Sequence, residues 1–262
     1  MSIQKLIKST FLVCFLSIFL FSSCYGPSYP KEDLNKSLSE LIFKETGVVP
    51  SVFIVGRTIY LDIEIDGLLS MDQAQLSEAF KKLQISASDI VRVVLSSDAD
   101  IKFMVINAFS ADKSLLLQLA QDIDDFKQYY YMNISQEDYQ TRTILTTTLN
   151  SVYVEEILND RHDWTLDEFV GQLIVANVGL AFMANPFLAE IIVPYRPYFY
   201  KVENGVLFAK TKVDKMDVQT SQLLRNSFYA QGLEFTKKYA ANIKSIILAA
   251  YNGKVLFGVD LE

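Results

Sequence analysis

Few side chains in this sequence are equipped for chemistry. His162 is the only histidine, and it stands beside the only tryptophan in Arg161-His162-Asp163-Trp164. That cluster could form a recognition corner at a helix start, but a loop with a packing tryptophan explains it better. A Ser-His-Asp arrangement would have to recruit His162, and no G-x-S-x-G elbow supplies the serine. A single histidine also excludes a His-rich zinc site and a two-His facial triad. Both cysteines, Cys14 and Cys24, lie at the N-terminus, so the body of the chain offers neither a thiol nucleophile nor a cysteine metal site.

The carboxylates are more numerous. Asp122, Asp124 and Asp125 with Glu137 and Asp138 could hold a hard cation, yet their spacing matches no calcium loop and reads as a solvated helix face. Asp98 and Asp100 could pair for acid/base work. They fall where a hairpin turn is expected, and turns favour aspartate without any site. The expectation is a protein with no catalytic residue, no metal ligand and no cofactor. The better binding candidates are aromatic: Tyr129 and Tyr130, and Tyr195, Arg196, Tyr198 and Tyr200 in the run from Pro194. Tyrosine and arginine are enriched at interface hot spots.

The elements that would position these residues form an internal repeat of about 60 residues, at 51–110 and 198–262. Val52–Val55 and Thr58–Ile65 flank Gly56-Arg57, and Phe199–Val202 and Val206–Val213 flank Asn204-Gly205. Period-two apolar runs about a two-residue Gly turn predict hairpins. On this alignment Ile59-Tyr60 falls on Leu207-Phe208, and Ile65-Asp66 on Val213-Asp214. One amphipathic helix follows each hairpin, with Leu76, Phe80 and Leu83 on one face of the first, and Leu224, Phe228, Phe235 and Tyr239 on that of the second. A second hairpin is then expected: Ile90–Leu95 returning as Ile101–Ile106, and Ile243–Leu248 returning as Val255–Leu261. The fold class is therefore α+β, two β-β-α-β-β repeats with antiparallel hairpins separated by a helical block.

That block is expected at 112–190, between a first unit at 32–111 and a second at 191–262. Leu116, Leu119, Ile123, Phe126 and Tyr130 step by three and four. A helix after Ser135 is drawn to about Leu158, although the β-branched Thr146-Thr147-Thr148 weakens it. A third begins at Thr165, with Glu168 completing a capping box. No charge occurs from Phe169 to Ala189, so a membrane span is arguable. Gln172, Asn177, Asn185 and Pro186 argue instead for a helix buried between the repeat sheets.

The N-terminus carries Lys5 and Lys8, an apolar run from Phe11 to Phe21, and Ser22-Ser23 before Cys24, the order of a secretory signal. Phe21-Ser22-Ser23-Cys24 resembles the lipobox of bacterial lipoproteins, with Phe21 where leucine is commonest and Leu20 one position earlier. The resemblance covers only residues 1–24. It implies removal of 1–23, acylation of the Cys24 sulfur, anchoring in a membrane, and a short linker over 24–31. A non-acidic Tyr25 resembles lipoproteins that move on to an outer membrane or the cell surface. From 24 basic and 31 acidic residues, loss of Lys5 and Lys8 leaves 22 against 31, a net charge near −9 that makes nucleic acid a poor partner.

Function at that location divides into two readings. The first is a non-enzymatic envelope interaction or assembly factor, whose partners are the membrane and another envelope protein. The second is a ligand-binding or hydrolytic lipoprotein with an apolar pocket near 169–189 and acidic residues at its mouth.

Overall fold

The structure is a computed structural model, and it describes residues 29–68, 72–149, 151–183, 200–211, 215–250 and 252–261. The lipobox with Cys24, the run Tyr195-Arg196-Tyr198 and the pair Val213-Asp214 lie outside these residues. So does the segment following Met183 in the uncharged stretch.

The fold is α+β and duplicated. In the first copy, helix α1 (Leu34–Thr46) precedes the hairpin β1 (Ser51–Val55) and β2 (Thr58–Glu64). Helix α2 (Gln73–Leu95) crosses to the hairpin β3 (Phe103–Phe109) and β4 (Leu116–Asp122). The second copy has β6 (Tyr200–Glu203), β7 (Val206–Thr211), helix α7 (Val218–Tyr239), β8 (Ser245–Ala250) and β9 (Val255–Asp260). Between them lie α3 (Ile123–Tyr130), α4 (Gln136–Thr141), strand β5 (Ile144–Thr148), α5 (Ser151–Asn159) and α6 (Leu166–Met183). The sheets run β1-β2-β3-β4-β5 and β6-β7-β8-β9, each antiparallel except where the helix crossover makes β2 parallel to β3 and β7 parallel to β8.

The copies agree in register. Val55 pairs with Thr58 and Glu203 with Val206, so Ile59 is equivalent to Leu207, as the sequence alignment requires. The N–H groups of Lys102 and Phe103 donate to Arg57 O at 2.8 and 3.2 Å, and those of Lys244 and Ser245 donate to Gly205 O at 2.7 and 3.3 Å. Ile123 N–H closes on Lys102 O and Leu261 N–H on Lys244 O, both at 2.8 Å. Asn204 and Gly205 adopt φ of 51° and 77°, the left-handed pair that a tight hairpin demands.

Three expectations are corrected. Ile90–Leu95 continues α2, which Asp72 caps by accepting from the N–H groups of Ala74 and Gln75. Its β-branched residues are buried at Ile90, Val91, Val93 and Val94, and tertiary packing overrides their weak helix propensity. The second hairpin therefore falls at 103–122, which displaces Asp98 and Asp100 from a turn to the α2–β3 loop and moves the first unit's end past 111. Leu116–Asp122 is a strand that is covered on both faces, so its apolar spacing does not reveal a period of two. Ile144–Thr148 is also a strand. Thr146 pairs with Gln118, and β5 extends the first sheet by one strand.

Ile59, Leu61 and Ile63 face α1 and α2 and join Leu34, Leu38, Ile42, Met104 and Ile106 in one core. Tyr60, Phe103, Val105 and Ile144 face the other way. They join a second core with Phe169, Val170, Leu173 and Ile174 of α6, Leu224 and Phe228 of α7, and Leu207 and Ile246 of the second sheet. Helices α6 and α7 thus fill the space between the sheets. Among the described residues no helix is long and apolar enough to cross a membrane. The predicted capping box at α6 is present: Glu168 N–H donates to Thr165 Oγ1 at 3.2 Å, and Thr165 N–H donates to Glu168 Oε2 at 2.8 Å.

Candidate functional site

The register of the first sheet sets Asp62, Asn107, Gln118 and Thr146 side by side on the α6 face. All four are buried. Buried polar groups need hydrogen-bond partners, and three of the four bond to one another. Gln118 Nε2 donates to Asn107 Oδ1 at 2.9 Å, and Asn107 Nδ2 donates to Asp62 Oδ1 at 2.7 Å. The second oxygen of Asp62 is held by the Arg161 guanidinium, which lies 3.8 Å over the Phe53 ring. The row ends in a neutralised ion pair between a central strand and the segment leading into α6.

The rest of that segment is fastened in the same way. Asp163 Oδ1 accepts from Arg57 N–H at 2.7 Å, and Trp164 N–H donates to Thr58 Oγ1 at 2.9 Å. Tyr60 Oη donates to His162 O at 2.7 Å and accepts from His162 N–H at 3.1 Å. Burial pushes the Tyr60 phenol up to about 12, so it remains protonated and able to donate. The His162 ring stacks at 6.2 Å on Trp164, which is buried. The Arg161–Trp164 corner is therefore a clamp that seats α6 on the first sheet.

A recess of about 130 Å³ opens beside the clamp, between Tyr60 and Gln118 on the sheet, Asp160, His162 and Glu168 on the segment, and Lys201 of β6. Its charged groups are already engaged. Glu168 caps α6, and Lys201 Nζ pairs with Glu203 at 2.7 Å. On the outer side of α5 runs an open groove of about 610 Å³ lined by Val152, Glu155, Glu156, Asn159 and Asp160. Among the described residues no strand pairs the outer edge of β5, and Leu145 in that strand, with Leu149 and Val152 just after it, is exposed, Leu149 to 74%.

The acidic stretch is a solvated face only at Asp124 and Glu137, which are exposed; Asp122, Asp125 and Asp138 are engaged. Asp122 caps α3, pairs with Lys102 Nζ at 3.1 Å and is buried, which raises its pKa. Asp125 is also buried. It accepts from Arg142 Nη1 at 2.7 Å and from Tyr239 Oη of α7. Asp138 takes Arg142 Nη2 at 2.5 Å and Lys238 Nζ at 3.0 Å. Burial opposes ionisation of Asp138, but those two cations hold its pKa below the ordinary value. Asp125 and Asp138 thus bolt the second repeat to the first. Among the described residues no three His, Cys, Asp or Glu side chains are grouped to hold a metal ion. Asp98 accepts from Lys31 N–H at 2.8 Å and Asp100 pairs with Arg57 at 2.9 Å, so they do not converge as an acid/base pair.

Of the tyrosine candidates, Tyr129 stacks on Tyr139 with centroids 4.3 Å apart. Tyr130 is 67% exposed, and next to it Tyr131 and Met132 are 61% and 91% exposed. Tyr200 opens β6. Sequence reasoning singled out Arg161 but missed the Asp62-Asn107-Gln118 row that it closes. Asp62 alternates with the apolar residues of β2, but only the register reveals its neighbours. Set against known protein families, characterised proteins and solved structures, the chain matches none.

Proposed function

We propose that this protein is a lipid-anchored cell-envelope protein, held at an outer membrane or the cell surface through Cys24. Its body acts without catalysis as an interaction or assembly factor. The observation that carries the second half is the outer edge of β5, which no strand among the described residues pairs. A strand edge offers unpaired N–H and C=O groups to a partner strand. Beyond that edge Leu149 and Val152 are exposed next to the acidic groove of Glu155, Glu156 and Asp160, and Leu145 is exposed on the opposite face of the strand. The partner that fits is an envelope protein presenting an extended segment with apolar and basic side chains. For the ligand-binding alternative, the recess beside the clamp is about 130 Å³, below the roughly 300–1,000 Å³ of small-molecule sites, and the 610 Å³ groove is open rather than enclosed.

Crosslinking from native membranes tests this. An envelope protein should co-purify with the wild type and be lost with Leu149→Glu and Leu145→Lys. Capture that survives both substitutions refutes the edge assignment. Labelled palmitate should enter the wild type and not Cys24→Ala. If Cys24→Ala stays membrane-bound as before, the anchor assignment fails.

A further inference from the structure

The proposed anchor and the folded body are separated by four residues, Tyr25 to Ser28, or five backbone steps from Cys24 to Tyr29. Fully extended, that stretch spans at most about 17 Å, whereas a body of about 240 residues is about 45 Å across. Its point of exit is fixed. Tyr29 N–H donates to Ser96 O at 3.2 Å, Tyr29 bridges to Ser97 in parallel, and Lys31 N–H donates to Asp98 Oδ1 at 2.8 Å. The tether therefore leaves from the C-terminal end of α2.

That point belongs to one end of the first sheet. Asp100 grips Arg57 in the β1–β2 turn, and Arg57 O receives the N–H groups of Lys102 and Phe103. Lys102 in turn accepts from Ile123 N–H and pairs with Asp122, the last residue of β4. Strand β5 starts at the same end, with Ile144 paired to Ala120. The excursion over 123–143 thus leaves and rejoins the sheet at the tether end. At its midpoint is the turn that carries Tyr130, Tyr131 and Met132.

We propose that this end of the first sheet lies against the bilayer, with Tyr130, Tyr131 and Met132 seated among the lipid headgroups beside the acyl anchor. The inference rests on acylation of Cys24 and names a lipid surface as the occupant of the aromatic turn. A tether shorter than half the body's width keeps the tethered end at the membrane. Tyrosine suits that depth because its ring is apolar and its hydroxyl is wet. The turn is rigid enough to present its side chains: Met132 is left-handed at φ 58°, Tyr131 N–H closes on Lys127 O at 3.0 Å, and Asn133 N–H on Gln128 O at 2.8 Å. A body this acidic gains nothing from anionic headgroups, so zwitterionic lipid suffices. Leu149 follows Thr148, which pairs with Leu116 at the opposite end of the sheet, and so faces away from the bilayer.

The test uses the full-length lipidated protein in phosphatidylcholine vesicles, labelled with a polarity-sensitive fluorophore at Met132→Cys, Tyr131→Cys or Leu149→Cys. Doxyl-lipid should quench the labels at 131 and 132 several-fold more than the label at 149, with blue-shifted emission at the first two. Equal quenching at all three, or more at 149, overturns the orientation. The mass of the N-terminal peptide reports the anchor separately. If Cys24 carries no acyl chain, the anchor assignment and this inference both fall. If it is acylated and 131 and 132 are not quenched, only the orientation falls.

Discussion

Replacing Asp89 with asparagine should stabilise the protein, and more so as pH rises. Asp89 lies on α2 with 2% of its surface exposed, and its Oδ2 is buried without a partner. Burial, with Glu45 nearby, pushes its carboxyl from 3.8 to about 6, against the pull of Arg92, whose Nη2 stands 3.1 Å away. The folded protein thus binds the proton more tightly than the unfolded chain. Its contribution is most favourable below about pH 4, is lost as pH rises through 6, and is constant above. At about 1.4 kcal/mol per unit, ionised Asp89 costs roughly 3 kcal/mol at pH 7. Asparagine removes that charge but leaves a buried amide to satisfy, at about 1–2 kcal/mol. A net gain of about 1–2 kcal/mol remains, or a Tm rise of about 2–8 °C for a chain this size. Urea unfolding at pH 4, 5, 6 and 7.5 reads the difference between variant and wild type. A difference that does not grow between pH 4 and 7 refutes the reasoning.

Other substitutions test the clamp and the bolt between repeats. Gly56 has φ +57°, and a Cβ there would lie 2.1 Å from Asp163 Oδ2. Gly56→Ala should cost about 2–3 kcal/mol through backbone strain and loss of the Asp163 bond. Adding Asp163→Ala should cost much less than the sum of the single changes, so additive losses in urea melts would argue against that contact. Arg142→Ala strands the buried Asp125 carboxylate. It should cost about 3–5 kcal/mol, seen as a Tm about 10 °C lower and faster proteolysis between the repeats, and an unchanged Tm would dismiss the bolt. Asn107→Ala leaves Asp62 and Gln118 each short of a bond in the buried row, for an expected loss of about 2–3 kcal/mol by denaturant titration.

The sequence made the β1–β2 and β6–β7 hairpins legible because their turns are locally determined. Asn204-Gly205 and the Gly56 turn need left-handed backbone whatever surrounds them, and the Thr165–Glu168 box closes within a single turn of helix. What stayed hidden depends on tertiary context. Leu116–Asp122 alternates Leu116, Gln118 and Ala120 on one face with Leu117, Leu119 and Gln121 on the other. Since both faces are covered, spacing alone mimics a helix. Part of what engages the acidic stretch comes from far along the chain: the Lys238 ammonium lies 100 residues from Asp138, and the Tyr239 hydroxyl lies 114 from Asp125. No local pattern announces such pairs.

Why the polar row occurs only in the first copy follows from what covers each sheet. Register places Lys210 and Ala249 of the second sheet where the first has Asp62 and Asn107, and the next strand offers Val255. In both copies the Ile59 or Leu207 face is closed by the repeat's own helix. The opposite face is buried under α5 and α6 in the first copy, whereas in the second Lys210 and Val255 remain exposed. An exposed lysine needs no bonded neighbour. A buried aspartate does, and that requirement accounts for Asn107, Gln118 and Arg161 together. The clamp is thus the consequence of laying α6 on a duplicated sheet, and its groups serve to hold that helix.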